Sequence, residues 1–176
     1  LNTQWDIGRV SPPLRAYFDQ LTDKSARILI PGCGRAYEAE YLHKAGFVNV
    51  FIADFSEWPL RDFLARVPSF PEEHLKHLDF FKIEEKFDLI IEQTMFCAID
   101  PSLRENYAQK CKDILQENGK LVGLFFEKTL EGGPPFGGSM YEYQTLFSKF
   151  FKNVDFKPCY NSIAPRQGSE LFAKIN

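Results

Sequence analysis

No stretch of this sequence holds the roughly 20 consecutive apolar residues that a membrane-spanning helix requires, so no membrane partner is expected. The first visible residues show no charged-then-apolar leader pattern. Strong charge of one sign is missing too. Lys and Arg number 21 against 24 Asp and Glu, a net charge of −3. A duplex-binding face carries a marked basic excess, so no nucleic-acid partner is expected. Cysteine is sparse: Cys33, Cys97, Cys111 and Cys159 form no C-x-x-C pair and lack the density of a stapled secreted domain. They read as reduced thiols, and a cytoplasmic protein is expected. Histidine is rarer still. His74 and His77 are spaced to share a metal, but no cysteine or second histidine pair joins them. No metal site is expected.

What the chain does have is apolar mass. Hydrophobic residues make up 44% and aromatics 15%, with 18 Phe among 176 residues. That suffices for a real core in one domain, 1–176, and suggests an apolar cavity. Oligomeric state is not encoded in any pattern found.

Short apolar runs alternate with helical patterns. Ala26–Pro31, Val48–Ala53, His74–Leu78, Phe87–Glu92 and Lys120–Phe126 read as strands. Arg35–Ala45 reads as a helix stopped by Gly46. A second helix starts after Ser56, with Pro59 in its first turn. Pro101–Leu115 is the clearest helix, capped by Asp100 and leaving through Asn118-Gly119. Tyr141–Phe150 is amphipathic, and Phe151–Pro158 and Glu170–Ile175 read as two closing strands. This alternation predicts an α/β, Rossmann-like fold: a mostly parallel sheet with helices on both faces. Ligands of such sheets bind beyond the carboxyl ends of the strands, where strand order reverses. Function is therefore sought after Pro31, Ala53, Leu78, Glu92 and Phe126.

The first of these loops is Pro31-Gly32-Cys33-Gly34-Arg35-Ala36-Tyr37. Glycines here let backbone approach a ligand. The third glycine of a dinucleotide fingerprint is absent, because Tyr37 stands in its place. Taken alone, the pair Gly32 and Gly34 also fits a simple tight turn. Asp54 ends the second strand twenty positions after Gly34, close to the spacing of about 20 at which an acidic side chain accepts ribose hydroxyls; taken alone, it also fits a helix cap before Ser56. Asp79 and Phe80 follow the third strand. They suit an adenine, the carboxylate taking the amine and the ring covering the base, and equally suit a surface turn beside a core phenylalanine.

Ile30-Pro31-Gly32-Cys33-Gly34, Asp54-Phe55-Ser56, Asp79-Phe80-Phe81, Phe96-Cys97-Ala98-Ile99-Asp100-Pro101 and Gly132-Gly133-Pro134-Pro135-Phe136 together resemble the thiopurine S-methyltransferase family. The closer likeness is to its thiol and halide methyltransferase branch. The resemblance implies a class I methyltransferase fold, seven strands with the last antiparallel, and S-adenosylmethionine as cofactor. It implies an N-terminal lid and helix over 1–22 and a substrate-side loop over 128–139. Trp5, in Trp5-Asp6-Ile7-Gly8, matches the segment that closes over the cofactor, where an indole face attracts a sulfonium. Gly32 stands where the thiopurine branch has leucine, and Asp54 where it has glutamate. Cofactor contact is thus expected from Trp5, Gly32, Gly34, Asp54, Asp79, Phe80 and Gln93. Gln93 replaces an arginine of the thiopurine branch, which argues against a thiopurine acceptor. Arg166 matches a basic residue on the substrate side and equally reads as a surface arginine on the loop before an edge strand; Phe126 stands where the resemblance to the halide branch implies tyrosine. Phe96, Phe126, Pro134, Pro135 and Phe136 are expected to form an apolar substrate wall.

Asp6, Gln93 and Arg166 are the candidates for a catalytic role, Asp6 by accepting a proton or orienting the lid. No Cys–His or Ser–His arrangement occurs at these loops. None is needed for transfer to a thiol, of which a few per cent is thiolate at neutral pH given a pKa of roughly 8.5. Cys33 and Cys97 read as packing residues. The expected function is methyl transfer from S-adenosylmethionine to a small thiol or halide-type nucleophile. The alternatives are a nicotinamide-dependent oxidoreductase, disfavoured by Tyr37 and the short chain, and a non-catalytic module that only binds the cofactor.

Overall fold

The computed structural model describes residues 6–176. Seven strands form one sheet: β1 (Ile28–Pro31), β2 (Val50–Asp54), β3 (Leu75–His77), β4 (Phe87–Gln93), β5 (Leu115–Phe126), β6 (Val154–Pro158) and β7 (Glu170–Ile175). Their order is β3-β2-β1-β4-β5-β7-β6. The first five are parallel, and β7 runs antiparallel to both β5 and β6. The expected seven-stranded architecture is the one observed.

Period-2 alternation explains why these strands are central. Ile28 and Ile30 point to one face, Leu29 to the other, and β2 repeats the pattern. Both faces are covered. Leu14, Leu42 and Phe63 pack against one face from helices α1 (Pro12–Phe18), α2 (Tyr37–Lys44) and α3 (Glu57–Arg66). Tyr107 and Phe147, from α4 (Arg104–Ile114) and α5 (Met140–Phe147), pack against the other. Strands buried on both faces read as near-continuous apolar runs, which is why β1 and β2 are legible.

The structure corrects several boundaries, among them those of α4 and β5. The helix expected over Pro101–Leu115 begins as a 3-10 turn, Pro101–Leu103, and becomes α-helical only from Arg104. Asp100 caps that turn, accepting from the Ser102 amide at 2.9 Å. The strand expected from Lys120 begins at Leu115, which pairs with Phe87. The register slips before Leu89 pairs with Lys120, and Gly119 sits in the slip, where a Cβ would lie 3.0 Å from the carbonyl oxygens of Gln116 and Phe87.

Among the described residues no helix is long and apolar enough to cross a membrane. The four cysteines are free and buried, and no cluster of metal-binding side chains occurs among the described residues.

Candidate active site

Strand order reverses between β1 and β4, whose carboxyl ends open side by side. A shallow cleft lies there. The loop after β1 and the start of α2 line it with Gly32, Gly34 and Glu38. The end of β4 contributes Gln93 and Thr94, and the N-terminal arm contributes Asp6, Ile7 and Arg9.

Gly32 and Gly34 hold left-handed backbone, φ 56° and 49°. The Cys33 amide donates to the Ala53 carbonyl at 3.2 Å, tying this loop to the end of β2. Asp54 is the next residue. Its Oδ1 accepts from the Ser56 amide at 2.9 Å, and Ser56 stands at the N-cap of α3 without a capping bond from its own side chain. Burial chiefly, and then the Asp54 charge, push the Cys33 thiol well above its ordinary range. The thiol stays protonated, as a packing residue should.

Glu38 lies in the first turn of α2, almost wholly buried, and accepts from the Ser11 amide at 3.0 Å. Burial raises its pKa, opposed by that bond and by the Arg166 guanidinium. A carboxylate here repels phosphate, so this helix start is no pyrophosphate seat. The dinucleotide alternative loses its anchor. Carboxylates Asp6 and Glu38 instead share the cleft with the guanidinium groups of Arg9 and Arg35. Charges of both signs suit a zwitterionic amino-acid end. Gln93 adds a buried side-chain oxygen, Oε1, with no partner among the described residues. Neutral, acidic and glycine groups of this kind fit a phosphate-free nucleoside carrying an amino acid.

The predicted site residues divide sharply. Asp6, Gly32, Gly34 and Gln93 meet in the cleft, with Asp54 beside it. Asp6 also accepts from the Gly8 amide at 2.8 Å and stands 3.9 Å from Arg35. Trp5 lies outside the described residues. Asp79 is exposed, and its Oδ1 accepts from the Phe81 amide at 3.0 Å. Phe80 requires correction: it is 4% exposed and stacks on Tyr107 in the core, so it offers no face to an adenine. Phe96 does too. It packs among Tyr107, Phe125, Tyr143 and Phe147, and is core rather than pocket wall. Phe136 lines a second, open groove beside Lys128 and Glu142, whereas Pro134 and Pro135 are exposed and line neither. Phe126 is half-buried between two cations, Lys128 at 4.5 Å and Arg166 at 5.4 Å from its ring. Arg166 is not a surface arginine. It is buried, 3.4 Å from Glu170, and its charge acts on the buried Glu38.

Glu92 was missed as more than a strand end. It is fully buried; Oε1 accepts from the Phe96 amide at 2.9 Å and Oε2 from the Tyr107 hydroxyl. Desolvation raises its pKa to about 7 against these bonds. The native state therefore keeps a proton that the unfolded chain has lost. Stability contributed by this group is full below the unfolded value of 4.5 and lost as pH rises toward about 7. We expect about 3 kcal/mol of loss across that window and none above it. Urea unfolding of wild type and Glu92→Gln between pH 4.5 and 8 checks this. The gap between the two curves should change through the window in wild type's disfavour, and parallel curves would refute it.

A doubly wound sheet with β7 antiparallel, carrying at its switch point a phosphate-free, zwitterion-compatible cleft, defines a class I methyltransferase dependent on S-adenosylmethionine. The sequence model described as thiopurine S-methyltransferase matches residues 1–170, and the chain belongs to that family. It is 30% identical to probable thiol methyltransferase 2 of Arabidopsis thaliana and 31% identical to thiocyanate methyltransferase 1 of Brassica oleracea. Each match covers 98% of this chain and 79% of the relative. The fold is similar to that of 1,6-didemethyltoxoflavin-N1-methyltransferase of Burkholderia thailandensis, with TM-score 0.71 and 18% identity over 93% of this chain and 77% of that one.

Proposed function

We propose that this enzyme methylates a small, soft nucleophile, a thiol first and a halide-type anion second. The reading is carried by the half-buried Phe126 ring at the end of β5, 4.5 Å from the Lys128 ammonium and 5.4 Å from the Arg166 guanidinium. An apolar face flanked by cations suits a polarisable anion that sheds its water readily. In this reading Gly32, Gly34 and Gln93 hold the amino-acid end of the cofactor, and Asp54 its ribose. When bound, S-adenosylmethionine supplies a methyl group already activated on a sulfonium. Residues of the cleft then have two tasks, alignment and exclusion of water, of which alignment is the larger lever. Asp6 orients the N-terminal arm through its bond to Gly8 and its approach to Arg35.

The same reading takes 1–176 as one domain, with 1–22 covering the cofactor and 128–139 facing the acceptor. Four free, buried cysteines support a reducing, cytoplasmic setting. The net charge of −3 supports a small-molecule partner rather than nucleic acid. A methyl-transfer assay across alkyl thiols, bisulfide, iodide and a thiopurine tests the proposal. Turnover should be highest with a thiol and lowest with the thiopurine; a thiopurine preference would overturn it. Phe126→Tyr adds a hydroxyl donor to the proposed wall. It should shift kcat/KM toward anions over neutral thiols by about 10-fold, one hydrogen bond to a charge. An unchanged preference would remove Phe126 from the acceptor site.

A further inference from the structure

One segment, Gln93–Cys97, touches every part of the site. Gln93 and Thr94 line the cleft. Met95 fills the space over Gly32, where a Cβ would lie 2.8 Å from Met95 Cγ. The Cys97 carbonyl accepts from the Phe136 amide at 2.6 Å, fastening the substrate-side loop. Thr94 holds left-handed backbone, φ 65°, so the segment does not keep this shape by local preference. Its shape is fixed from within. Glu92 accepts from the Phe96 amide at 2.9 Å, and its other oxygen is held by Tyr107 of α4. Glu92 in turn needs the missing side chain of its cross-strand partner Gly123, where a Cβ would fall 2.3 Å from Glu92 Cβ.

We propose that Glu92 is a positioning residue for methyl transfer: by fixing Gln93–Cys97 it sets the donor cleft and the substrate-side loop at one mutual distance. It touches neither substrate nor cofactor. The inference rests on the methyl-transfer reading. An error of about 1 Å in such alignment costs on the order of 100-fold in rate, so a carboxyl that fixes both sides acts on kcat.

The test compares Glu92→Ala, Glu92→Gln and Tyr107→Phe with wild type, all well below their melting temperatures. Hydrogen exchange is read at single amides by NMR, and kcat and KM are read with an alkyl thiol. In Glu92→Ala the Phe96 and Phe136 amides should exchange at least about 10-fold faster, while Leu29 and Ile30 of β1 stay within about threefold. Its kcat should fall at least about 30-fold with acceptor KM within about fivefold. Glu92→Gln keeps an acceptor for Phe96 and should retain kcat within about fivefold. Should Glu92→Ala not fold, Tyr107→Phe shows the same pattern at reduced scale, about threefold at Phe96. Unchanged protection at Phe136, equal acceleration in β1, or a kcat near wild type in folded Glu92→Ala would each overturn the proposal. A wild type that methylates no thiol sinks the acceptor reading instead, and the exchange pattern still decides the role of Glu92.

Discussion

Replacing Asp54 by alanine should weaken S-adenosylmethionine binding by about 100-fold while leaving the fold intact. Asp54 ends β2, one position past the Ala53 carbonyl that anchors the Cys33 amide. One carboxylate oxygen serves Ser56; the other has no partner among the described residues. A ribose offers two hydroxyl donors to such a group, and each bond to a charge contributes roughly 1.5–3 kcal/mol. Loss of the pair, partly replaced by water, leaves about 3 kcal/mol, or roughly 100-fold. The structural cost is smaller. Losing the Ser56 bond, which holds the turn into α3, costs about 1 kcal/mol, a fall of about 2–4 °C in melting temperature for a chain of this size. Titration calorimetry at 25 °C on folded variant separates the two effects. Unchanged affinity would remove Asp54 from the ribose site. Asp54→Asn is the informative companion: it keeps one acceptor oxygen and loses the charge, so its affinity should fall between the two.

The parts of this protein that declare themselves in sequence are those where one physical demand dominates. β1 and β2 are buried on both faces, so unbroken apolar runs reveal them. The left-handed turn after β1 demands glycine, and the sequence has it at 32 and 34. Phe80 and Phe96 misled because a phenylalanine beside a binding loop obeys two demands with one signature. Apolar rings suit a pocket wall and a core equally, and only three-dimensional neighbours decide. Arg166 reads from sequence as a substrate-side residue or as a surface arginine, and the structure buries it. Its buried partners Glu38 and Glu170 are distant in sequence from each other, so no local pattern announces the cluster. Glu92 did leave a signal. It continues the Ile90 face of a strand buried on both sides, and a carboxyl there must be bonded from within the protein. Reading β4 by face rather than by its end would have found it.

The second large effect is expected at Gly32, and it tests whether the glycine loop and the β4 segment form one clamp. Gly32→Ala should destabilise the protein by about 2–4 kcal/mol and weaken cofactor binding at least about 10-fold. Part of the loss is local: left-handed backbone costs a residue with a Cβ roughly 1–2 kcal/mol. The rest is steric. The new Cβ would lie 2.8 Å from Met95 Cγ and 2.9 Å from Met95 Cβ, so Met95 cannot escape by swinging its sulfur end away. Its backbone must shift, and with it Gln93 and Thr94 at the cleft. Overpacking of this kind costs roughly 1–3 kcal/mol. Met95→Gly removes both obstructing atoms. The double variant should therefore be more stable than the two single losses predict, by at least about 1 kcal/mol, leaving only the backbone term at position 32. Denaturant unfolding of the four proteins measures that coupling. Strict additivity would mean that Met95 yields freely and that the two loops are not clamped together.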